Sequence, residues 1–199
     1  MTPKTFILMG RSGSGKGTQS ALLKADLEKT GQKVFYFEAG ERFRQFAAKG
    51  SYSGLLMSKV MNEGLLLPSF LPVWNWANSF IENLTGEECL IMDGGLRLLN
   101  EAKMFNEALQ FYNRIPAAFI YINTHPEEAT KRLALRGRSD DASTEKIASR
   151  MKWFEEEVLP VIEYYRTLPS VKFIEIDGIG TIEEVADRIK SALADYLND

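Results

Sequence analysis

Cysteine and histidine are almost missing from this chain. Cys89 is the single cysteine and His125 the single histidine among 199 residues. One thiol excludes an internal disulfide and any zinc site built from several cysteines, and it fits a reducing compartment. Cys89 opens the apolar stretch Cys89-Leu90-Ile91-Met92, so a buried and inert thiol is expected. His125 stands directly before Pro126, the place of a loop or cap residue; without a partner base or nucleophile it suggests no catalytic triad. Positive charge is also in short supply. The 24 Lys and Arg against 27 Asp and Glu leave a net charge of −3, which supplies no basic field for nucleic acid. No apolar run reaches membrane-spanning length, and the first strand begins so early that no room is left for a signal peptide. Repeats and low-complexity segments are lacking as well. The expectation is a cytoplasmic protein with no membrane and no nucleic-acid partner. Its hydrophobic content of 45% can fill a core, and its length suits one domain.

What is present is concentrated between Phe6 and Thr18. The run Phe6-Ile7-Leu8-Met9 suits a buried parallel strand, and Gly10-Arg11-Ser12-Gly13-Ser14-Gly15-Lys16-Gly17-Thr18 follows it. Glycines let the backbone turn its N–H groups inward, and such a ring of donors at the positive end of a helix holds the oxygens of a polyphosphate. Lys16 adds a mobile charge for the β- and γ-phosphates, and a hydroxyl after it can reach magnesium. Generic loops of this kind place Ser or Thr directly after Lys; here Gly17 intervenes and Thr18 carries the hydroxyl.

Further along, a helix is expected over Lys16 to Glu28 and a second strand over Val34 to Phe37. The section from Gly40 to Leu84 is helical, broken by Gly50, Gly64 and Pro68, and too long for a simple crossover; it reads as an inserted helical subdomain. Leu90 to Asp93, Ala117 to Ile122 and Lys172 to Ile176 are the remaining strands. Helices are expected over Asn100 to Tyr112, Glu127 to Arg136, Thr144 toward Tyr165 and Ile182 to Leu197, with a break or bend at Pro160. Strands alternating with helices mean an α/β protein with a parallel sheet covered on both faces.

Two further signals carry chemistry. Asp93 ends a buried strand before Gly94-Gly95, where an acid beside a phosphate loop helps hold magnesium, directly or through water. Arg132, Arg136, Arg138 and Arg150 gather around the polar interruption 137–143, while Arg44 and Arg97 each follow a glycine-containing turn. Guanidinium forks neutralise phosphate charge bidentately, and moving a phosphoryl group onto another phosphate requires several of them. Asp140-Asp141 could anchor these arginines or cap the next helix. Trp74, Trp76, Phe70 and Phe80 read as core packing, with a stacking surface for a base as the alternative.

These motifs together resemble the adenylate kinase family of nucleoside monophosphate kinases, nearly end to end. Gly15-Lys16-Gly17-Thr18-Gln19 reproduces the family's Lys-Gly-Thr loop, and Gly40-Glu41 with Arg44 matches the opening of its acceptor helix. Glu63-Gly64-Leu65-Leu66-Leu67-Pro68, Asp93-Gly94-Gly95-Leu96-Arg97, the lid stretch Arg132 to Asp141, and Arg150 stand where further motifs fall. The resemblance implies a P-loop NTPase fold, three-layered around a five-stranded parallel sheet. One domain over 1–199 would divide into a core (1–38, 85–131, 142–199), a helical monophosphate-binding insertion (39–84) and a short lid (132–141). It also implies reversible transfer of the ATP γ-phosphoryl group to a nucleoside monophosphate, with Mg²⁺ and no zinc, by a monomer. Lys16, Arg97, Arg132, Arg138 and Arg150 would be catalytic. Gly13, Ser14, Gly15, Lys16, Gly17, Thr18, Arg132, Arg136, Gly178 and Gly180 would bind ATP. Ala39, Gly40, Arg44, Gly64, Leu67, Gly94, Arg97, Glu101, Arg138 and Arg150 would bind the monophosphate, and Thr18 and Asp93 the metal.

The chain departs from the family pattern in four places. Ala39 stands where adenylate kinases usually place Thr and the related UMP/CMP kinases Ala. Glu101 replaces the Gln that reads adenine; a carboxylate only accepts, so guanine would suit it best on hydrogen bonding alone. Gly95-Leu96 replaces Phe-Pro, and the lid is shorter than the family's short form. AMP is the expected acceptor by overall resemblance, with UMP/CMP next and GMP open.

Overall fold

The computed structural model describes residues 3–136, the side chain of Arg136 excepted, and residues 143–198. Strands β1 (Thr5–Met9), β2 (Val34–Glu38), β3 (Cys89–Asp93), β4 (Ala117–Asn123) and β5 (Val171–Asp177) form one parallel sheet in the order β2-β3-β1-β4-β5. β1 is central: Phe6 pairs with Ile91 of β3 on one side and with Ala118 of β4 on the other. All five of its residues are buried. Successive strand side chains point to opposite faces, so Ile7 and Met9 enter one core while Phe6 and Leu8 enter a second. Burial on both faces explains why this strand is a continuous apolar run with no polar alternation.

Helices α1 (Lys16–Lys29) and α9 (Ile182–Asn198) cover the Phe6 face through Leu27, Val185, Ile189 and Leu193. Between β2 and β3 run α2 (Ala39–Ala48), α3 (Tyr52–Asn62) and α4 (Phe70–Asn83), separated at Gly50 and Gly64, whose φ angles of 66° and 71° suit glycine. With α5 (Leu99–Phe111) they pack on the Ile7 face, where Phe80 lies against Phe35, Phe37, Trp76, Phe105 and Tyr112. Trp76 and Phe80 are therefore core residues, whereas Phe70 is exposed and Trp74 packs on Phe46. After α6 (Pro126–Arg136), helices α7 (Thr144–Trp153) and α8 (Leu159–Thr167) are joined by a π-helical turn over Phe154–Val158. The break expected at Pro160 thus takes the form of a widened turn just before it, in which Leu159 N–H reaches back five residues to Phe154 O.

Away from the strands' C-terminal ends, two buried polar ties fix the frame. Arg114 donates to Glu88 Oε1 at 2.9 Å and to Glu88 O at 2.6 Å, with both residues buried. Tyr196 of α9 accepts from Thr5 N–H at 3.2 Å and sits 2.9 Å from the Pro116 carbonyl. Cys89 is buried as expected, beside Gln32 Oε1, and burial pushes its thiol up, which suits inertness. No helix of the described residues is long and apolar enough to cross a membrane.

Candidate active site

The loop between β1 and α1 lies at the C-terminal edge of the central strand. Gly13 and Gly15 adopt φ of 86° and 87°, and a Cβ on Gly13 would run into the Ala129 carbonyl. Gly15 is the N-cap of α1, whose first-turn N–H groups face out of the helix end together with its positive dipole. Gln19 Nε2 donates to Ile182 O at 2.9 Å, tying α1 to the start of α9.

Two cavities open on this loop. One is lined by Lys16, Gly17, Gly40, Arg44, Gly64, Leu67, Asp93, Gly94, Arg97 and Arg150. The other is lined by Gly13, Ser14, Gly15, Lys16, Gly17, Thr18, Arg132 and Gly180. Lys16, Gly17 and Glu38 belong to both. Four expected cations of separate elements thus meet in the first cavity, and Arg132 reaches the second. Arg132 Nε donates to Glu128 at 2.9 Å and Nη1 to Gly178 O at 3.2 Å, placing its guanidinium over Gly15. Gly178 is packed against Thr124 too closely for any side chain and contributes that carbonyl. The expectations for the side chain of Arg136, for Arg138 and for lid residues 137–141 lie outside the described residues.

Asp93 is buried, and Tyr36 donates to its Oδ2 at 2.7 Å. Burial, then the Asp93 charge, push the Tyr36 phenol well above its ordinary range, so it remains a donor. The carboxylate lies 3.4 Å from where a Cβ on Gly17 would be, and Thr18, which follows Gly17 in the chain, is exposed. Among the described residues no three His, Cys, Asp or Glu come together as a metal cage. One carboxylate and one hydroxyl beside a phosphate loop nonetheless suit Mg²⁺, which keeps water and substrate phosphates as its other ligands.

Glu101 is placed differently from its expected role at an acceptor base. It is 1% exposed, does not line either cavity, and its Oε2 accepts from Arg97 N–H at 2.8 Å and Leu98 N–H at 3.2 Å. As the third residue of α5 it reaches back to the helix start and holds the turn carrying Arg97. Burial pushes its carboxyl up to about 7, against the lowering effect of those two N–H groups and the Arg97 charge. A folded value above the ordinary 4.5 means that Glu101 contributes most stability below pH 4.5 and loses it as pH rises through about 7. Glu101→Gln is expected to flatten this pH dependence and to raise stability at pH 8 by about 2–3 kcal/mol. Thermal melts of both proteins between pH 4.5 and 8 check this; parallel slopes would contradict it.

Ala39 is buried directly under the turn after β3. Gly95 adopts φ of 99°, and a Cβ there would come within 2.8 Å of the Ala39 Cβ. Leu96 is fully buried, so the departure Gly95-Leu96 gives a tight left-handed turn followed by a core side chain.

Three residues in or behind these walls were not anticipated. Glu38 ends β2 in register with Asp93 and lies 3.3 Å from Arg44, which Glu41 also holds at 2.8 Å. The signal was available, since Glu38 ends its strand as Asp93 does. Arg11, in the loop, is buried between Glu155 at 2.9 Å and the Phe154 ring at 4.5 Å. Trp153 lines the first cavity, three residues after Arg150.

The family model described as Adenylate kinase matches residues 8–169. The chain belongs to the adenylate kinase family. Relatives named Adenylate kinase include one from Prochlorococcus marinus (strain MIT 9515), 30% identical over 96% of this chain and 99% of its own length. Others come from Mycolicibacterium paratuberculosis and Mycobacterium tuberculosis (strain ATCC 25618 / H37Rv), each 32% identical over 94% of this chain and 97% of their own. As an adenylate kinase family member the chain is a nucleoside monophosphate kinase, a nucleotide-binding transferase with a P-loop NTPase fold. Its chemistry is phosphoryl transfer between ATP and a nucleoside monophosphate, for which the family uses Mg²⁺.

Proposed function

We propose that this protein, acting as a cytoplasmic monomer, interconverts ATP and AMP with two ADP. The carrying observation is that Lys16 and Gly17 belong to two cavities at once, each with its own arginines. ATP would occupy the side of Gly13 to Thr18, Arg132, Gly178 and Gly180. The monophosphate would occupy the side of Ala39, Gly40, Arg44, Gly64, Leu67, Gly94 and Arg97, leaving its phosphate facing Lys16. Arg44 and Arg97 would hold the acceptor phosphate, while Arg132 and Arg150, with Arg136 and Arg138 of the lid, would neutralise the group in transit.

Thr18 and Asp93, the latter through water, would hold Mg²⁺, which when bound withdraws charge from the phosphate oxygens. Tyr36 keeps Asp93 oriented for this. No covalent intermediate with the protein is required: alignment of the two phosphates and preorganised positive charge supply the catalysis. The insertion 39–84 and lid 132–141 would close on the core 1–38, 85–131 and 142–199 and exclude water, a competing acceptor.

A second acceptor class is favoured by one residue: Ala39 matches the UMP/CMP kinases. A coupled assay of ADP formation with AMP, CMP, UMP and GMP in turn tests the proposal. The highest kcat/KM is expected with AMP. A preference for CMP or UMP would reassign the acceptor, acceptor-independent hydrolysis would replace the kinase by a hydrolase, and binding without turnover would leave only a nucleotide binder.

A further inference from the structure

Helix α7 brings more than Arg150 into the acceptor cavity. Residues three apart share a helix face, and Trp153 lines that cavity beside Arg150. Its indole touches two other walls. The Arg97 guanidinium lies over its ring, 5.3 Å from the centroid, and its Nε1–H donates to the Gly64 carbonyl at 3.1 Å. Ser149 Oγ, one turn earlier, donates to the same carbonyl at 3.2 Å. The turn after β3, the turn between α3 and α4, and α7 are thereby tied at one side chain.

We propose that Trp153 is a positioning residue for the acceptor, fixing the Arg97 guanidinium and the Gly64 turn in their binding arrangement before the monophosphate arrives. The proposal rests on the first cavity being the acceptor site. A guanidinium held over a ring has less orientational freedom to lose when it meets a phosphate. A turn held by two donors likewise needs no ordering on binding. Phenylalanine offers the face without the donor and serine the donor without the face; the indole offers both. Trp153 is not among the residues lining the second cavity, so its influence falls on one substrate.

The test uses the full chain with Trp153→Phe, which keeps a ring face but no donor, and Trp153→Leu, which keeps neither. AMP dissociation constants are measured by calorimetry beside KM for AMP and ATP. Trp153→Phe is expected to weaken AMP by about 3- to 10-fold, the loss of one hydrogen bond. Trp153→Leu is expected to weaken it by about 10- to 50-fold, with KM for ATP within about twofold of the parent. Ser149→Ala, leaving Trp153 in place, is expected to move AMP in the same direction and decides the matter should Trp153→Leu not fold. A purely structural role would lower Tm without separating the two substrates. AMP affinity within about twofold of the parent, or an equal loss for ATP, overturns the proposal. A parent that binds AMP but does not phosphorylate it overturns the kinase reaction and leaves Trp153 to be judged on the dissociation constants. A parent that binds no monophosphate overturns both.

Discussion

Lys16→Met is expected to lower kcat by about 10³-fold while the protein keeps its fold, because one preorganised donor aimed at developing charge is worth that much in a site closed to water. Methionine preserves the length and most of the volume of lysine, so packing against Gly94, whose ideal Cβ would lie 3.2 Å from Lys16 Cε, changes little. What disappears is the positive charge shared by both cavities. KM for each nucleotide is expected to change less than kcat, since the remaining arginines and the backbone donors still bind phosphate. Steady-state kinetics with ATP and AMP, read beside Tm, check this; full activity in the variant would remove the loop from the chemistry.

The largest expected loss of stability lies at the opposite end of β3. Arg114→Met leaves the Glu88 carboxylate buried without its guanidinium, and breaking such a pair typically costs about 3–5 kcal/mol. Burial alone would raise the Glu88 carboxyl, but the Thr85 hydroxyl, backbone N–H groups including that of Gly86, and the Arg114 charge together hold it below the usual range. The native state is therefore built around the ionised form, and its contribution is present above the ordinary value of 4.5 and lost as pH falls below it. For a domain of this size the melting temperature is expected to fall by about 6–20 °C, with kcat at 20 °C unchanged. A variant that replaces both Glu88 and Arg114 by methionine should recover part of the loss. Differential scanning calorimetry of the three proteins separates the outcomes, and an unchanged Tm for Arg114→Met would show the pair to contribute nothing.

The sheet was legible because every strand carries an apolar run bounded by turn residues. Its limits were less so: Thr5, Glu38, Asn123 and Asp177 join the ladder through backbone pairing that their polar side chains do not advertise. At the site, the glycine loop, Asp93 and the arginines Arg44, Arg97 and Arg150 could be named because phosphate chemistry demands those residue types at those spacings. Glu101 stands where the family pattern carries a base-reading glutamine. Its place as the third residue of α5 pointed instead to the backbone cap that it forms. Trp153 and Arg11 could not be found by spacing, since each acts on partners about 90 and 140 residues away in sequence.

The central place of β1 has a consequence for biosynthesis. The phosphate loop follows the first strand, yet that strand cannot find either neighbour until β3 and then β4 have been made, because Thr5 pairs with Leu90 and Phe6 with Ala118. Tyr196 then closes on Thr5 across nearly the whole chain. Contacts so distant make the amino-terminal segment wait unpaired during elongation, an apolar run in need of shielding by the ribosome exit or by chaperones. The nucleotide cradle is thus anchored by strands that follow it in the chain.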